Sequence, residues 1–207
     1  MDLFATAAPE SLEWLELDGA SRLGMNPRYV TDQQSLYQQL CEQCVWTQPE
    51  VNLFGKRHKV PRLNAFYGDV GVEYRYSGVV HQASGWPPSL QVLRRRIDSL
   101  LGTGFNTVLL NWYRDGGDTM GYHADNEKEL GPQPTIASVS LGAARRFVMK
   151  RRNAPATKRE LLLEGGSLLV MAGRVQEEWL HAVPASRGEM AGRINLTFRR
   201  VLPQCIR

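Results

Sequence analysis

The sequence has few cysteines. Its three are Cys41, Cys44 and Cys205, and a small odd number excludes a disulfide framework and is typical of a reducing compartment. The Cys41-x-x-Cys44 spacing could belong to a redox or metal motif. The helical pattern around it and the lack of a second cysteine pair favour two cysteines on adjacent turns of a helix.

The sequence also lacks a long apolar run. No stretch approaches the roughly 20 apolar residues that span a bilayer, and the acidic N-terminus does not resemble a signal peptide. We therefore expect a soluble monomer without a membrane partner, located in the cytoplasm or, in a eukaryote, in the nucleus.

Composition is ordinary for a globular protein. The chain has 207 residues, of which 43% are hydrophobic and 22% charged, enough for one well-filled core. The net charge of +4 is compatible with an acidic partner such as a nucleic acid but does not require one.

The first half of the chain predicts helices and a hairpin. Residues 1–30 look irregular, and helices are expected over 33–45, capped by Asp32, and over 90–101, capped by Ser89. The segments on either side of Phe54-Gly55 look like a hairpin, and the alternation of Val72, Tyr74 and Tyr76 predicts a strand.

The second half predicts short strands separated by turns. We expect an α+β, mainly β protein with a double-stranded β-helix (jelly-roll) core. Residues 1–104 would supply an N-terminal extension, supporting helices and a lid, and residues 105–207 the core, as one compact unit. The expected core strands are Thr107–Tyr113, Ile136–Leu141, Arg146–Lys150, Leu161–Leu163, Ser167–Met171, Trp179–Val183 and Ile194–Val201.

Two distant fragments together supply a set of metal ligands. His123 and Asp125 are two residues apart and would share one face of an extended strand, and His181 lies on a later predicted strand. An H-x-D sequence is common by chance, so the prediction depends on what accompanies it. Two histidines and one carboxylate leave three positions of an octahedral ion open, as in non-haem Fe(II) oxygenases.

The last predicted strand carries two cations on one face. Arg193 and Arg199 alternate with apolar residues, which is compatible with a half-buried strand whose charged face is solvated. If the strand lies inside a jelly roll, the inward arginines need an anion such as a dicarboxylate. Asn111 and Tyr113, two apart on an earlier strand, could hydrogen-bond to the same ligand.

These motifs, in this order, resemble the AlkB family of Fe(II)/2-oxoglutarate-dependent dioxygenases, and most closely its branch that repairs alkylated double-stranded DNA. The resemblance covers about residues 50–201. The matching segments are N-x-Y (111–113), H-x-D (123–125), SVSLGAARRF (138–147), GGSLLVM (165–171), His181, RINLTFR (193–199) and the lid-like PRLNAFYGDVGVEYRYSG (61–78).

The resemblance implies Fe(II) held by His123, Asp125 and His181, with 2-oxoglutarate and O₂ as cosubstrates. Arg193 would bind the distal carboxylate of 2-oxoglutarate, and the remaining cosubstrate residues would be Tyr113, Asn195, Asn111 and Arg199. The implied reaction hydroxylates the methyl group on an alkylated base nitrogen, as in 1-methyladenine or 3-methylcytosine, and releases formaldehyde.

The resemblance also implies residues that contact DNA. Tyr74, Tyr76 and Ser77 would line the pocket of the flipped base, and Glu127 would favour cationic lesions. Phe54-Gly55 at the hairpin tip would insert into the base stack, with Lys56 and Arg62 as further DNA contacts. Taken singly, the tyrosines are equally typical of strand packing, Glu127 of a solvated acidic run and Phe54 of a core.

The sequence leaves the roles of further basic groups and several other functions open. Arg94-Arg95-Arg96 is expected on the solvated face of a helix, whereas Arg145-Arg146 could follow a DNA strand. The same oxidative chemistry could act on RNA or a protein side chain. A nucleic-acid binder without activity, or a cupin-like metal protein, would not require both the complete ligand set and the arginine strand.

Overall fold

Strands dominate the chain, which is described by a computed structural model over residues 11–53, 56–76, 79–187 and 191–203. The helices are α1 (Gln33–Gln43), α2 (Pro88–Leu101) and α3 (Val175–Glu178), with a short 3₁₀ turn at Lys128–Leu130. The strands are β1 (Glu13–Asp18), β2 (Ser21–Asn26), β3 (Glu50–Leu53), β4 (Lys56–Lys59), β5 (Leu63–Gly68), β6 (Glu73–Tyr76), β7 (Val79–Gln82), β8 (Thr107–Tyr113), β9 (Met120–His123), β10 (Ile136–Gly142), β11 (Arg145–Arg151), β12 (Lys158–Leu163), β13 (Leu168–Gly173), β14 (Trp179–Val183) and β15 (Arg193–Arg199).

The strands form two larger antiparallel sheets. The large sheet has seven strands in the order β1-β2-β13-β10-β15-β8-β5, and the small sheet has four in the order β12-β11-β14-β9. Apolar residues of both sheets, among them Leu109, Phe147 and Trp179, share one core cluster, so the sheets pack face to face. The expected jelly-roll core is confirmed.

The other face of the large sheet is covered by helices. Leu36 and Leu40 of α1, with Leu90 and Ile97 of α2, pack against β8, β10, β13 and β15 in a second core cluster. The central strands β8, β10, β13 and β15 are therefore covered on both faces, and a polar side chain on their inner face lies inside the protein.

Two separate hairpins complete the described fold. Strands β3 and β4 pair with Glu50 opposite Lys59, and β6 pairs with β7, with Glu73 opposite Gln82. Each hairpin forms a two-stranded sheet of its own. The expected hairpin around residues 54–55 is thus confirmed in its strands, although Phe54 and Gly55 lie outside the described residues.

The predicted core strands agree well with the structure. Thr107–Tyr113 and Trp179–Val183 have the expected bounds, and the other predicted strands differ by up to three residues at an end. The expectation that residues 1–30 are irregular is wrong, because β1 and β2 extend the large sheet. Strand β2 has no clear alternation, and its pairing with β13, where Gly24 lies opposite Val170, decides its conformation.

Both helices differ in detail from the prediction. Helix α2 starts at Pro88, so Ser89 lies in the first turn instead of capping it, and Asp32 makes no side-chain cap bond to α1. Val45, which the predicted helix included, follows the end of α1 and is 77% exposed. Arg94, expected on a solvated face, pairs with Asp69 at 2.7 Å.

The two segments expected from the sequence are interleaved in the large sheet. Strands β1, β2 and β5 precede residue 104, and each pairs directly or through a neighbour with strands from the second half. In the part of the chain that the structure describes, no helix combines the length and apolar character needed to cross a membrane.

Candidate metal and cosubstrate site

The small sheet brings the three proposed metal ligands together. Strands β9 and β14 pair so that His123 lies opposite His181, and Asp125 follows β9 by two residues. The candidate donor atoms of all three residues lie within 4.8 Å of one another. His181 Nε2 is 3.8 Å from Asp125 Oδ2, and the two imidazole centroids are 4.2 Å apart. One ion could therefore contact all three side chains.

The protonation states of these side chains suit a metal. Burial alone would raise the pKa of Asp125, but Arg199, whose Nη2 donates to Asp125 Oδ1 at 2.6 Å, and the two imidazoles lower it to about 2. Burial, with repulsion from His123, lowers the pKa of His181 to about 3. At neutral pH the site offers an ionised carboxylate and neutral imidazoles, the forms that bind metals.

Hydrogen bonds around the ligands fix their orientation. His123 Nδ1 lies 2.9 Å from the carbonyl oxygen of Gly121, which can only accept, so this nitrogen carries the proton and Nε2 is left for an ion. The backbone N–H of Asp125 donates to Oε1 of buried Gln176 at 2.9 Å. Asp125 Oδ2 is buried without a hydrogen-bond partner among the described residues, as expected of a donor that requires a cation.

The donor set fits Fe(II). Two imidazole nitrogens and one carboxylate oxygen match the facial arrangement of non-haem iron oxygenases, which keeps three positions for other ligands. A structural zinc site would have four protein ligands and usually a cysteine, whereas the two cysteines in the described part of the chain lie on and just after α1.

The alternation expected for the last strand is confirmed. Strand β15 lies between β10 and β8 in the large sheet, and its polar residues line one cavity while Ile194, Leu196 and Phe198 join the core cluster beneath the helices. Arg193 is 1% exposed and Arg199 is 3% exposed. The solvated alternative for this face is therefore wrong, and both guanidiniums point into the protein.

Arg193 is a buried cation that lacks an anion. Its Nη2 donates to Ser140 Oγ at 2.8 Å, but its Nε and Nη1 find no acceptor among the described residues. Its guanidinium lies 5.2 Å from the Tyr113 ring centroid. Burial lowers its pKa to about 10, and nearby Arg145 acts in the same direction. Such a group requires a carboxylate or similar ligand to offset desolvation.

Arg199 has a different environment. It pairs with the metal ligand Asp125 and lies over the Tyr74 ring at 5.5 Å. The two arginines of the strand are thus not equivalent, since Arg193 has free donors for a ligand while Arg199 balances the charge of Asp125.

One cavity between the sheets joins the metal ligands to these arginines. Asn195 Nδ2 donates to Ser138 Oγ at 2.7 Å, which holds it on the cavity wall. The metal ligands and the polar residues of β8 and β15 line this one cavity: His123, Asp125, His181, Asn111, Tyr113, Arg193, Asn195, Thr197 and Arg199.

Part of the proposed substrate pocket adjoins this cavity. Tyr74 is fully buried and stacks 6.1 Å from the Phe66 centroid. Burial raises the pKa of its hydroxyl group, and the nearby Glu127 carboxyl group acts in the same direction. Burial raises the pKa of Glu127, against the lowering effect of Arg199. Glu127 is thus a part-buried carboxyl group beside the metal ligands, and the fully solvated alternative is wrong.

Several proposed DNA residues fall outside what the structure describes. Phe54, Gly55 and Ser77 lie outside the described residues, and only the backbone of Lys56 and Tyr76 is described, in β4 and β6. Their roles remain predictions.

Two arginines expected to contact DNA are instead buried. Arg62 is 5% exposed and donates to Asn111 Oδ1, because it begins a segment that runs into the large sheet. Arg145, 2% exposed, donates to three backbone carbonyls, those of Asp115, Asp118 and Pro184. Basic character alone does not separate such structural arginines from surface ones, and the sequence offered no signal for either.

The fold and this site define the class of protein. The chain belongs to the 2OG-Fe(II) oxygenase superfamily, which it matches over residues 25–199. The metal is therefore Fe(II), and 2-oxoglutarate and O₂ are the cosubstrates.

Curated relatives narrow the class to the AlkB family. The chain is 41% identical over 161 residues to the Mus musculus DNA oxidative demethylase ALKBH2, covering 74% of this chain and 67% of the relative. It is 41% identical to the Homo sapiens protein of that name over 159 residues, covering 73% of this chain and 61% of the relative. Homo sapiens alpha-ketoglutarate-dependent dioxygenase alkB homolog 3 is 35% identical over 196 residues, covering 89% of this chain and 68% of the relative.

Solved structures share the fold at low sequence identity. One described as OsALKBH1 has a TM-score of 0.66 at 18% identity, and the match covers 91% of this chain and 100% of the solved chain. A 2OG-Fe(II) oxygenase family oxidoreductase from Burkholderia pseudomallei has a TM-score of 0.56 at 15% identity and covers 86% of each chain.

Proposed function

We propose that this protein is an oxidative demethylase of DNA bases that carry an N-methyl group, such as 1-methyladenine and 3-methylcytosine. The observation that carries the proposal is the single cavity in which His123, Asp125 and His181 face buried Arg193, with its unpaired donors. Relatives named DNA oxidative demethylase support the choice of substrate.

The bound metal would supply the oxidation, and the protein would position the reactants. Fe(II), held by His123, Asp125 and His181, couples the conversion of 2-oxoglutarate and O₂ into succinate and CO₂ to the insertion of one oxygen atom into a C–H bond. The substrate methyl group becomes a hydroxymethyl group, and cleavage of its C–N bond releases formaldehyde and the unmodified base.

The clamp residues would orient 2-oxoglutarate. Arg193 can donate through Nε and Nη1 to the distal carboxylate, while Tyr113 and Asn195 line the same wall. The keto-acid end would then lie towards Asp125, near Arg199 and Asn111. A cosubstrate fixed at both ends reaches the metal in one orientation.

The Tyr74–Glu127 pair would bind the substrate base. N-methylation at these ring positions makes adenine or cytosine cationic, and a part-buried carboxylate near the metal would stabilise that charge. The aromatic ring of Tyr74 provides a surface for an extruded base, with Tyr76 and Ser77 as further proposed contacts.

Substrate access is proposed to depend on the two hairpins. The β3–β4 hairpin would present Phe54, Gly55 and Lys56 to duplex DNA, and β6–β7 would close over the base. In this proposal residues 1–104 serve mainly recognition, and the catalytic side chains come from residues 105–207. The protein would act as a monomer in a compartment that holds DNA.

A substrate panel tests the proposal. Purified protein with Fe(II), ascorbate and 2-oxoglutarate is incubated with 1-methyladenine in double-stranded DNA, single-stranded DNA and RNA, and with methylated peptide. Repaired base and formaldehyde in equal amounts, highest on DNA and absent for His181→Ala, would support it. Turnover confined to RNA or peptide, or no turnover on any of them, would overturn the DNA assignment.

A further inference from the structure

Arg62 is neither a proposed metal ligand nor part of the arginine clamp, yet it reaches the wall of the cavity. Its side chain is buried, its Nε donates to Asn111 Oδ1 at 2.8 Å, and its Nη1 donates to the carbonyl oxygen of Thr119 at 3.3 Å. Two of the three guanidinium nitrogens of Arg62 therefore act on its neighbours inside the protein.

The amide oxygen of Asn111 is saturated. Besides Arg62, Asn64 Nδ2 donates to the same Oδ1 at 2.7 Å, and a carbonyl oxygen has two lone pairs. Since both partners are donors, they also settle which end of the amide is oxygen. The polar group that Asn111 can offer to the cavity is therefore its NH₂ group, a donor.

The position of Asn111 indicates which group would accept a hydrogen bond from its NH₂ group. Asn111 lies on β8 opposite Asn195 of β15, and both line the cavity with Asp125 and Arg199. A donor on this wall suits an oxygen of a carboxylate or keto group. The guanidinium of Arg62 also polarises the amide, which strengthens the bond its NH₂ group donates.

The same arginine connects this wall to the metal strand. Thr119, whose carbonyl oxygen accepts from Arg62, precedes β9, and its N–H donates to Pro61 O at 2.9 Å. Strand β9 ends at the metal ligand His123. Arg62, which directly precedes β5, thus connects the amide of Asn111 to the start of β9 through two hydrogen bonds.

We propose that Arg62 is a positioning residue for 2-oxoglutarate, which acts by holding the Asn111 amide with its NH₂ group towards the keto-acid end of the cosubstrate. The proposal rests on the assignment of this cavity to 2-oxoglutarate within the proposed function. It predicts that losing Arg62 weakens cosubstrate binding through Asn111 and leaves the DNA-contacting surface intact.

A double-mutant cycle tests the proposal without DNA. The Kd of 2-oxoglutarate is measured by calorimetry under nitrogen on Fe(II)-loaded wild type, Arg62→Met, Asn111→Ala and the double variant. Arg62→Met should raise the Kd about tenfold, the effect of losing a hydrogen bond to a charged group. In the Asn111→Ala background, Arg62→Met should change the Kd of 2-oxoglutarate less than about twofold, because the amide through which Arg62 would act is absent.

Additional variants separate positioning from folding. Arg62→Lys keeps the charge but cannot reach Asn111 and Thr119 together, so the Kd of this variant for 2-oxoglutarate should rise several-fold. It replaces Arg62→Met in the test if Arg62→Met does not fold. Arg22→Met changes an exposed arginine of β2 that is not part of the cavity lining, and it is the control with an unchanged Kd. With saturating 2-oxoglutarate, kcat of Arg62→Lys should approach wild type while KM for 2-oxoglutarate stays raised.

Two results would overturn the proposal. One is an unchanged Kd for 2-oxoglutarate in a folded Arg62 variant, with weaker DNA binding instead. The other is full additivity of the Arg62 and Asn111 effects. Because the titration contains no nucleic acid, a failure of the DNA assignment leaves this test intact.

Discussion

The inner face of the large sheet and the two hairpins contrast in how they hold their side chains. On the inner face, β15 is bonded on both sides, to β10 and β8, and its polar residues are buried. Among the described residues, each hairpin strand pairs with only its partner. The proposed cosubstrate residues of β15 thus lie on a strand that is supported from both sides, whereas the proposed recognition residues Tyr74 and Tyr76 lie on a strand with one partner.

Tyr74 is where the two regions meet. It belongs to hairpin strand β6, but it is fully buried, stacks on Phe66 of β5 and lies against Arg199. The base of this hairpin is therefore anchored on the sheet that holds the cosubstrate residues. A substrate base that contacts Tyr74 would be placed close to the metal.

Removing a metal ligand should have the largest effect and should not depend on substrate. His181→Ala deletes one of three donors, so we expect turnover on every substrate to fall at least about 100-fold. Succinate formation and iron content after gel filtration measure the loss. His58→Ala in β4 is the control for a histidine outside the site; retained iron and turnover in His181→Ala would refute the ligand assignment.

Removing the Arg193 cation should have the next largest effect. Arg193→Gln deprives a buried carboxylate of its partner, which costs about 3 kcal/mol or more and should raise KM for 2-oxoglutarate about 100-fold. Steady-state kinetics on one DNA substrate provide the measurement, with Arg22→Gln as control. An unchanged KM would mean that the anion binds elsewhere.

Changes on the substrate side should alter selectivity more than total activity. Glu127→Gln keeps the shape but removes the charge, so preference for cationic 1-methyladenine over a neutral methylated base should fall about tenfold. The ratio of kcat/KM values on oligonucleotides of the same sequence gives this preference. Equal losses on both bases would show that Glu127 serves structure and not charge recognition.

The hairpin tip should give the smallest and most specific effect. Phe54→Ala should lower repair of duplex DNA several-fold more than repair of single strands, because a wedge acts only where a stack must be opened. Trp14→Ala, which removes an exposed aromatic on edge strand β1, is the matched control. Equal losses on both forms would contradict the wedge role.

The parts that the sequence predicted are those governed by local periodicity. The two-residue spacing of Arg193, Asn195, Thr197 and Arg199 placed all four on one face, and the structure lines one cavity with them. The same two-residue spacing placed Asn111 and Tyr113 on one face of their strand. The convergence of His181 with His123 required the resemblance, because strand order is not encoded in spacing.

The parts that the sequence could not predict depend on contacts between distant residues. Strand β2 owes its conformation to pairing with β13, and Arg62 is buried because its guanidinium meets Asn111, which lies 49 positions away. The family resemblance suggested a DNA contact for Arg62, and only the folded structure shows its acceptors. Buried arginines are where composition misleads most, since the same residue type serves surfaces and interiors.

The most direct test of the account is a crystal structure with Mn(II) in place of iron and 2-oxoglutarate bound. We expect one ion bonded at about 2.0–2.2 Å to His123, Asp125 and His181, with the distal carboxylate of 2-oxoglutarate on Arg193 Nε and Nη1. An ion held by other side chains, or a 2-oxoglutarate molecule outside the cavity between the two sheets, would contradict it.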